Sequence, residues 1–317
     1  MKFALSTIAV GVALACVCHG AAAQNLQTSV TVTQQGNGNT LQAEQVGFGT
    51  PDPSGRSGPL ATIVQIGDNN HVGGPGATTG GLFQRAPNNG AAHIQQNGSG
   101  NNAGITQDGT IRAAGPLEAR ITQLGNTNTA TIRQEIVTSS TAIVEQTGAG
   151  NVAAVEQLSS ADTSVRAVQN GSNNRVSIRQ FGGLYAGPDV TQNGDGNTAS
   201  VISEGAFAGG PTIVQTGTAN SANTVQGGGE FDNSLSIYQQ GSGNRADAAQ
   251  LGGSLTARID QNGNHNLARI DQVGAGNNAL IAQVGNSNTA LVRQAGQGYV
   301  ANVNQTGSGN YTNIYQH

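Results

Sequence analysis

Near its C-terminal end the chain places Gln261, Gln272, Gln283, Gln294, Gln305 and Gln316 at a strict spacing of 11 residues. Between them the pattern Q-x-G-x-x-N-x-A-x-x-x-Q recurs, as in Gln261, Gly263, Asn266, Ala268 and Gln272. A short fixed period restricts a chain to a stack of repeats. Side-chain parity says what each repeat is. Ala257, Ile259 and Gln261 share one face, as do Asn266, Ala268, Ile270 and Gln272, while Arg258, Asp260, Arg269 and Asp271 point the other way. Alternation of period two marks half-buried strands. The intervening Asn262-Gly263-Asn264-His265 is turn chemistry, because Gly and Asn tolerate positive φ. Each 22-residue unit therefore reads strand, arc, strand, arc. Such a unit cannot bury its apolar face alone, so units must stack.

The inward amides need partners, because an unpaired buried amide costs about 1–3 kcal/mol. Stacked in register about 4.8 Å apart, identical amides hydrogen-bond along the axis as ladders. The expected ladder residues are Gln34, Asn39, Gln45, Gln96, Asn101, Gln107, Gln123, Asn128, Gln134, Gln146, Asn151, Gln157, Gln169, Asn174 and Gln180, then Gln239, Asn244, Gln250, Gln261, Asn266, Gln272, Gln283, Asn288, Gln294, Gln305, Asn310 and Gln316. The competing reading is a disordered polar tract. Ile and Val at fixed offsets from the glutamines argue against it.

The first glutamine of each unit falls at Gln34, Gln65, Gln96, Gln123, Gln146, Gln169, Gln192, Gln215, Gln239, Gln261, Gln283 and Gln305. The fold class expected is all-β: a two-sheet parallel β-solenoid of about twelve 22–23-residue strand-arc-strand coils over residues 24–317, as one domain. Twelve rungs at about 4.8 Å imply a rod of roughly 55–60 Å. The spacing is looser at first, and the extra residues sit in Gly/Pro-rich stretches: Gly47 to Pro59, Val72 to Thr79, Asp108 to Pro116, Glu204 to Pro211 and Gly227 to Asn233. These read as loops bulging from the arcs. An inward column of mostly β-branched residues, such as Ile63, Ile121 and Ile259, faces one rich in Ala, such as Ala103, Ala130 and Ala268. The second strand of coil 2 is irregular and is placed at Gly80, Leu82 and Gln84. Ser203 stands where coil 7 should close on Gln, and Tyr299 where Asn is expected. Pro188 and Pro211 are expected as the first residues of strands, where a missing N–H matters least.

Residues 1–23 read as a secretory signal peptide: Lys2, an apolar run from Phe3 to Val17, and Ala21-Ala22-Ala23 before Gln24. Ala13-Leu14-Ala15 before Cys16 resembles a lipobox only loosely. Both cysteines, Cys16 and Cys18, lie in this segment. Lys2 is the only lysine, so the chain from Gln24 carries 12 Arg against 17 Asp and Glu. There is no basic patch and few aromatics, which argues against nucleic acid. No other stretch is apolar enough for stable membrane insertion.

The unit Gln239, Gly241, Asn244, Ala246, Gln250 resembles the curlin repeat, the building block of curli amyloid fibres on bacterial surfaces. The resemblance covers nearly the whole chain after the leader. It implies a secreted subunit that passes through the periplasm and a curli-type outer-membrane secretion channel. It also implies polymerisation outside the cell, alone or with other curlin subunits, into adhesive fibres of the cell surface and biofilm matrix. Two departures stand out. Twelve coils exceed the handful typical of the family. The usual N-terminal export segment would also shrink to Gln24–Leu26.

Catalytic and ligand-binding readings find little support. No enzyme activity and no cofactor are expected. His71, His93, His265 and His317 lie in different repeats with no recurring metal-ligating partner. Asn193-Gly194-Asp195-Gly196-Asn197 faintly suggests a calcium turn, but its Asp is not repeated as in calcium-binding solenoids. A lyase would need clustered carboxylates and bases, and an ice-binding solenoid a flat Thr array. Outward pairs such as Thr31/Thr33 and Arg120/Thr122 form neither.

Two classes remain, a self-polymerising matrix subunit and a monomeric solenoid acting as an adhesin or protein-binding surface. Polar end caps distinguish them. Coils 1 and 12 both match the repeat, and neither shows a cap. Both edges are therefore expected to be open and to recruit another copy head to tail. Proline at Val303 and Ile314 is expected to remove donors of the coil-12 edge. Arg133, Glu156 and Arg179 are expected to stack on one outward column with alternating sign, and Asp271 and Arg293 to do the same in later coils.

Overall fold

The computed structural model describes residues 29–46, 59–73, 81–85, 90–109, 117–185, 187–205, 208–228 and 232–317. The signal peptide expected over 1–23, Gly80 and the tips of the longer loops lie outside the described residues. Within them the chain is all strand, arc and turn, with no helix. The first strand of every coil joins one sheet of twelve strands, from Ser29–Gln35 to Val300–Ser308. The second strands form a facing sheet of fourteen, from Thr40–Leu41 to Tyr311–Gln316. All pairings are parallel and in register, so like lies on like: Gln123 opposes Gln146, and Gln146 opposes Gln169. A slip of one residue would turn Arg120, Arg166 and Arg258 inward, so the hydrophobic pattern itself pins the register.

The core lies between the sheets. Ile63, Ile94, Ile121, Val144, Ile213 and Ile259 from one sheet, and Ala103, Ala130, Ala268 and Ala290 from the other, are buried to within 1%. Branched side chains on a pleated surface lose little rotamer freedom. Alanine in the facing column lets the sheets approach.

Twelve equivalent coils are not what forms. From Leu117–Asn126 onward about nine turns repeat at 22–24 residues, close to a 23-residue spacing. The first three intervals are 31, 31 and 27 residues. The insert between Val72 and Gly81 splits the second strands of coils 1 and 2. Coil 1 has Thr40–Leu41 and Ala43–Val46, and coil 2 has His71–Val72 and Leu82–Arg85. Gln42 spans the split, donating to the Val72 carbonyl and accepting from the Leu82 N–H. Leu82 and Gln84 are inward, opposite Ile105 and Gln107, as their spacing implied. Pro188 and Pro211 lie one residue ahead of the strands Asp189–Asp195 and Thr212–Thr218, not within them. There their carbonyls accept from Arg166 and Asp189, and no donor is needed from the ring nitrogen.

The first arc brings backbones closer than a side chain allows. Gly285 has φ +118°, and a Cβ there would overlap the Gly307 carbonyl oxygen of the next coil. The same overlap toward the following coil recurs from Gly67 to Gly263.

Candidate functional site: amide ladders and the two ends of the stack

Three columns of buried amides run along the axis. In the first, the Nε2 of each coil's first glutamine donates to the Oε1 of the next, from Gln34 to Gln65 and onward through Gln96, Gln123, Gln146 and Gln169. It continues through Gln192, Gln215, Gln239, Gln261 and Gln283 to Gln305, every link being 2.6–3.0 Å. The second Nε2 hydrogen goes to a carbonyl at the start of the preceding coil's second strand, as from Gln146 to Thr129. Both donor hydrogens of a fully buried amide are thus used.

The closing glutamines form the second column: Gln45, Gln84, Gln107, Gln134, Gln157 and Gln180, then Gln226, Gln250, Gln272, Gln294 and Gln316. Ser203 interrupts it between Gln180 and Gln226. The links flanking the interruption are the longest, 3.4 Å from Gln157 to Gln180 and 3.3 Å from Gln226 to Gln250.

The asparagines run the opposite way. From Asn101 to Asn128, Asn151, Asn174, Asn197, Asn220, Asn244, Asn266, Asn288 and Asn310, each Nδ2 donates back to the Oδ1 of the coil before. Asn39 and Asn70 begin this column through a backbone N–H. The other Nδ2 hydrogen caps the next coil's turn glycine, as from Asn151 to the Gly171 carbonyl. Gln65, Gln84, Gln192, Gln215, Gln226, Asn70, Asn197 and Asn220 thus join the residues named from the sequence. A fourth column had not been read from the pattern. Asp68, Asn126, Asp195, Asn264 and Asn286 each accept a backbone N–H from the coil before through Oδ1. Asp195, in the calcium-like turn, has this structural task. The signal available was a polar residue three positions after the first glutamine. Among the described residues no three metal-ligating groups cluster.

Among the described residues no charged side chain is fully buried. Arg133 opposes Glu156, and Glu156 opposes Arg179, with charged atoms 3.9 and 4.0 Å apart. The tightest pairs lie within one strand, at two residues' separation: Arg133–Glu135 at 2.6 Å, Arg258–Asp260 at 2.8 Å and Arg269–Asp271 at 2.8 Å, while Arg166–Glu145 joins adjacent coils at 3.0 Å. Asp271 opposes Arg293 in register, but Arg293 lies over the Tyr315 ring at 5.3 Å. Burial pushes the Asp189 carboxyl above the usual carboxylate range, against the pull of Arg166.

Ladder polarity makes the two ends of the stack different. At coil 1 no donor among the described residues reaches Gln34 Oε1 or Gln45 Oε1, and Asn39 Nδ2 rests on the Gln35 carbonyl at 3.2 Å. At coil 12 Gln316 Nε2 donates to the Val300 carbonyl. Gln305 Nε2 donates to Thr289 O and, where other coils use the next glutamine, to the Thr312 hydroxyl at 3.0 Å. Asn310 Oδ1 has no donor among the described residues. Edge parity corrects one expectation. Asn278 donates to the Tyr299 carbonyl and Thr289 to the Asn310 carbonyl. In a parallel ladder this sends the N–H groups of Val303 and Ile314 back to coil 11. The outward donors are those of Asn302, Asn304, Asn313 and Tyr315, so proline at Val303 or Ile314 would break coil 12 from its own chain instead.

The profile of the curlin associated repeat family matches residues 232–263 and 263–296, and the register of these coils continues through the rest of the stack. No curated protein matches the chain.

Proposed function

Because residues 232–296 match the curlin associated repeat, we propose that the chain is a secreted structural subunit that self-assembles head to tail into curli-like amyloid fibres of the cell surface, with a role in adhesion. Curlin repeats are associated with extracellular curli fibres, and both the family and the β-solenoid are structural rather than catalytic. Among the described residues no helix is long and apolar enough to cross a membrane. The leader over 1–23 would take the chain to the periplasm, and a curli-type channel would take it out.

The observation that carries self-assembly is the complementarity of the two ends. Coil 12 presents amide donors in both glutamine columns and an acceptor in the asparagine column; coil 1 presents the reverse. A second copy placed on coil 12 would continue all three columns with the same links that join coils inside one chain. The exposed strand edges add backbone donors and acceptors to that contact. The contact is heterologous and does not close, so it gives a filament.

Purified protein beginning at Gln24 and left at room temperature should form fibres in electron micrographs, with a cross-β spacing near 4.8 Å. A preparation that stays monomeric over the same time would overturn the proposal. One contact favours the second reading, a monomeric adhesin: Thr312 already satisfies the Gln305 amide within coil 12.

A further inference from the structure

The interruption at Ser203 gathers unpaired polar atoms inside the core. Ser203 and Gln226 are wholly buried and Thr224 is 1% exposed. Ser203 Oγ, Thr224 Oγ1 and Gln226 Oε1 have no hydrogen-bond partner among the described residues. They sit together by register: Ser203 lies opposite Gln226, and Thr224 is the inward residue two positions before Gln226. Thr224 occupies a column that is otherwise aliphatic, with Ile178 and Val201 before it and Ala248 and Ile270 after it. Two polar substitutions thus fall on adjoining positions of adjacent coils. Elsewhere the ladders satisfy their amides, and each orphaned polar group in a native interior calls for an explanation.

We propose that one buried water molecule occupies this position and bridges Ser203 to Gln226 in the second ladder. Serine is shorter than glutamine by a methylene and a carboxamide, which leaves room on the order of the 30 Å³ that a water takes in the liquid. A buried water typically makes two to four hydrogen bonds, and three partners are present. The water donates to Gln226 Oε1, replacing the Nε2 hydrogen that position 203 supplies in other coils. It donates its second hydrogen to Thr224 Oγ1 and accepts from the Ser203 hydroxyl. The lengthened links at 3.4 and 3.3 Å on either side fit a column that is spaced differently at this rung. Because the water replaces one direct link by two weaker ones, coils 7 and 8 become the place where the stack opens first.

A structure at a resolution that shows ordered solvent tests this directly. Density is expected within about 2.7–3.2 Å of both Ser203 Oγ and Gln226 Oε1. Its absence, or direct closure of the Gln226 carboxamide on Ser203, overturns the proposal. Ser203→Gln should remove that density, restore the ladder link and raise the unfolding midpoint by about 2–4 °C. Ser203→Gln with an unchanged or lower midpoint and retained density would also overturn it. Neither readout depends on whether the protein forms fibres.

Discussion

The turn-glycine column separates folding of one chain from joining of two. In coil 11 a Cβ on Gly285 would overlap the Gly307 carbonyl, so Gly285→Ala disturbs the coil 11–12 contact inside the chain. In coil 12 a Cβ on Gly307 meets nothing nearer than Asn310 Nδ2 at 3.7 Å. By the direction of the column it points out of the stack, where the Gly36 carbonyl of a second copy would sit. Both positions have positive φ, +118° and +104°, so the backbone strain of alanine is similar at each, about 1–2 kcal/mol. Gly285→Ala adds an overpacking cost of about 1–3 kcal/mol to the fold, whereas Gly307→Ala adds it to subunit addition. At 1.4 kcal/mol per factor of ten, that raises the concentration needed for fibre growth by about 5- to 150-fold. Thermal unfolding followed by circular dichroism gives the first quantity. Sedimentation of soluble protein at the growth plateau gives the second. Gly307→Ala should lose less stability than Gly285→Ala and leave far more protein in solution. Equal plateau concentrations for Gly307→Ala and the unsubstituted chain would refute stacking on coil 12.

Proline at Asn302 and Asn313 removes two outward N–H groups that face solvent in a single chain. It should leave the unfolding midpoint within a few degrees while thioflavin-followed elongation slows sharply, and unchanged elongation would count against this edge. Proline at Val303 and Ile314 should instead unfold coil 12, seen as faster amide exchange across residues 300–316. Glu156→Arg places three like charges on one column, but Arg133 keeps Glu135 at 2.6 Å. The loss should stay within about 1 kcal/mol by chemical denaturation, and a larger loss would mean the column matters more than the within-strand pairs. Asp189 has a raised pKa, so its contribution is most favourable when the carboxyl is protonated and is lost as pH rises through a window above 3.8. Asp189→Asn should flatten that part of the stability–pH curve and raise neutral-pH stability. An unaltered curve would show that burial of this carboxyl is immaterial.

Parallel in-register stacking superposes identical residues, so a column such as Gln123, Gln146, Gln169 was visible before any coordinates were. The inward placement of Leu82 and Gln84 followed from the same parity. Other features depend on quantities that a repeat pattern does not encode. Whether Val303 directs its N–H toward coil 11 or away from it depends on the hand of the coil, and mirror-related stacks share one sequence pattern. The opposed directions of the Gln and Asn amides depend on which atom of a carboxamide faces forward. The shortest ion pairs, Arg269–Asp271 among them, lie within a strand, and a repeat pattern does not rank them above pairs between rungs such as Arg166–Glu145. The insert after Val72 splits the second strands of coils 1 and 2, a break that spacing alone reads as a bulge on an arc.

Every side chain that holds one coil to the next from inside is a neutral amide, hydroxyl or hydrocarbon, and no Asp, Glu, Arg or His is among the described buried residues. The buried ladders are therefore nearly deaf to ionic strength and pH, which act on stacking only from the arcs and outer faces, through groups such as Asp68, Asp189 and Asp195. If the chain is the fibre subunit proposed above, changes of salt or acidity would do little to keep copies apart before export. Restraint would have to be steric: an end kept occupied, or a chain kept unfolded until it is outside.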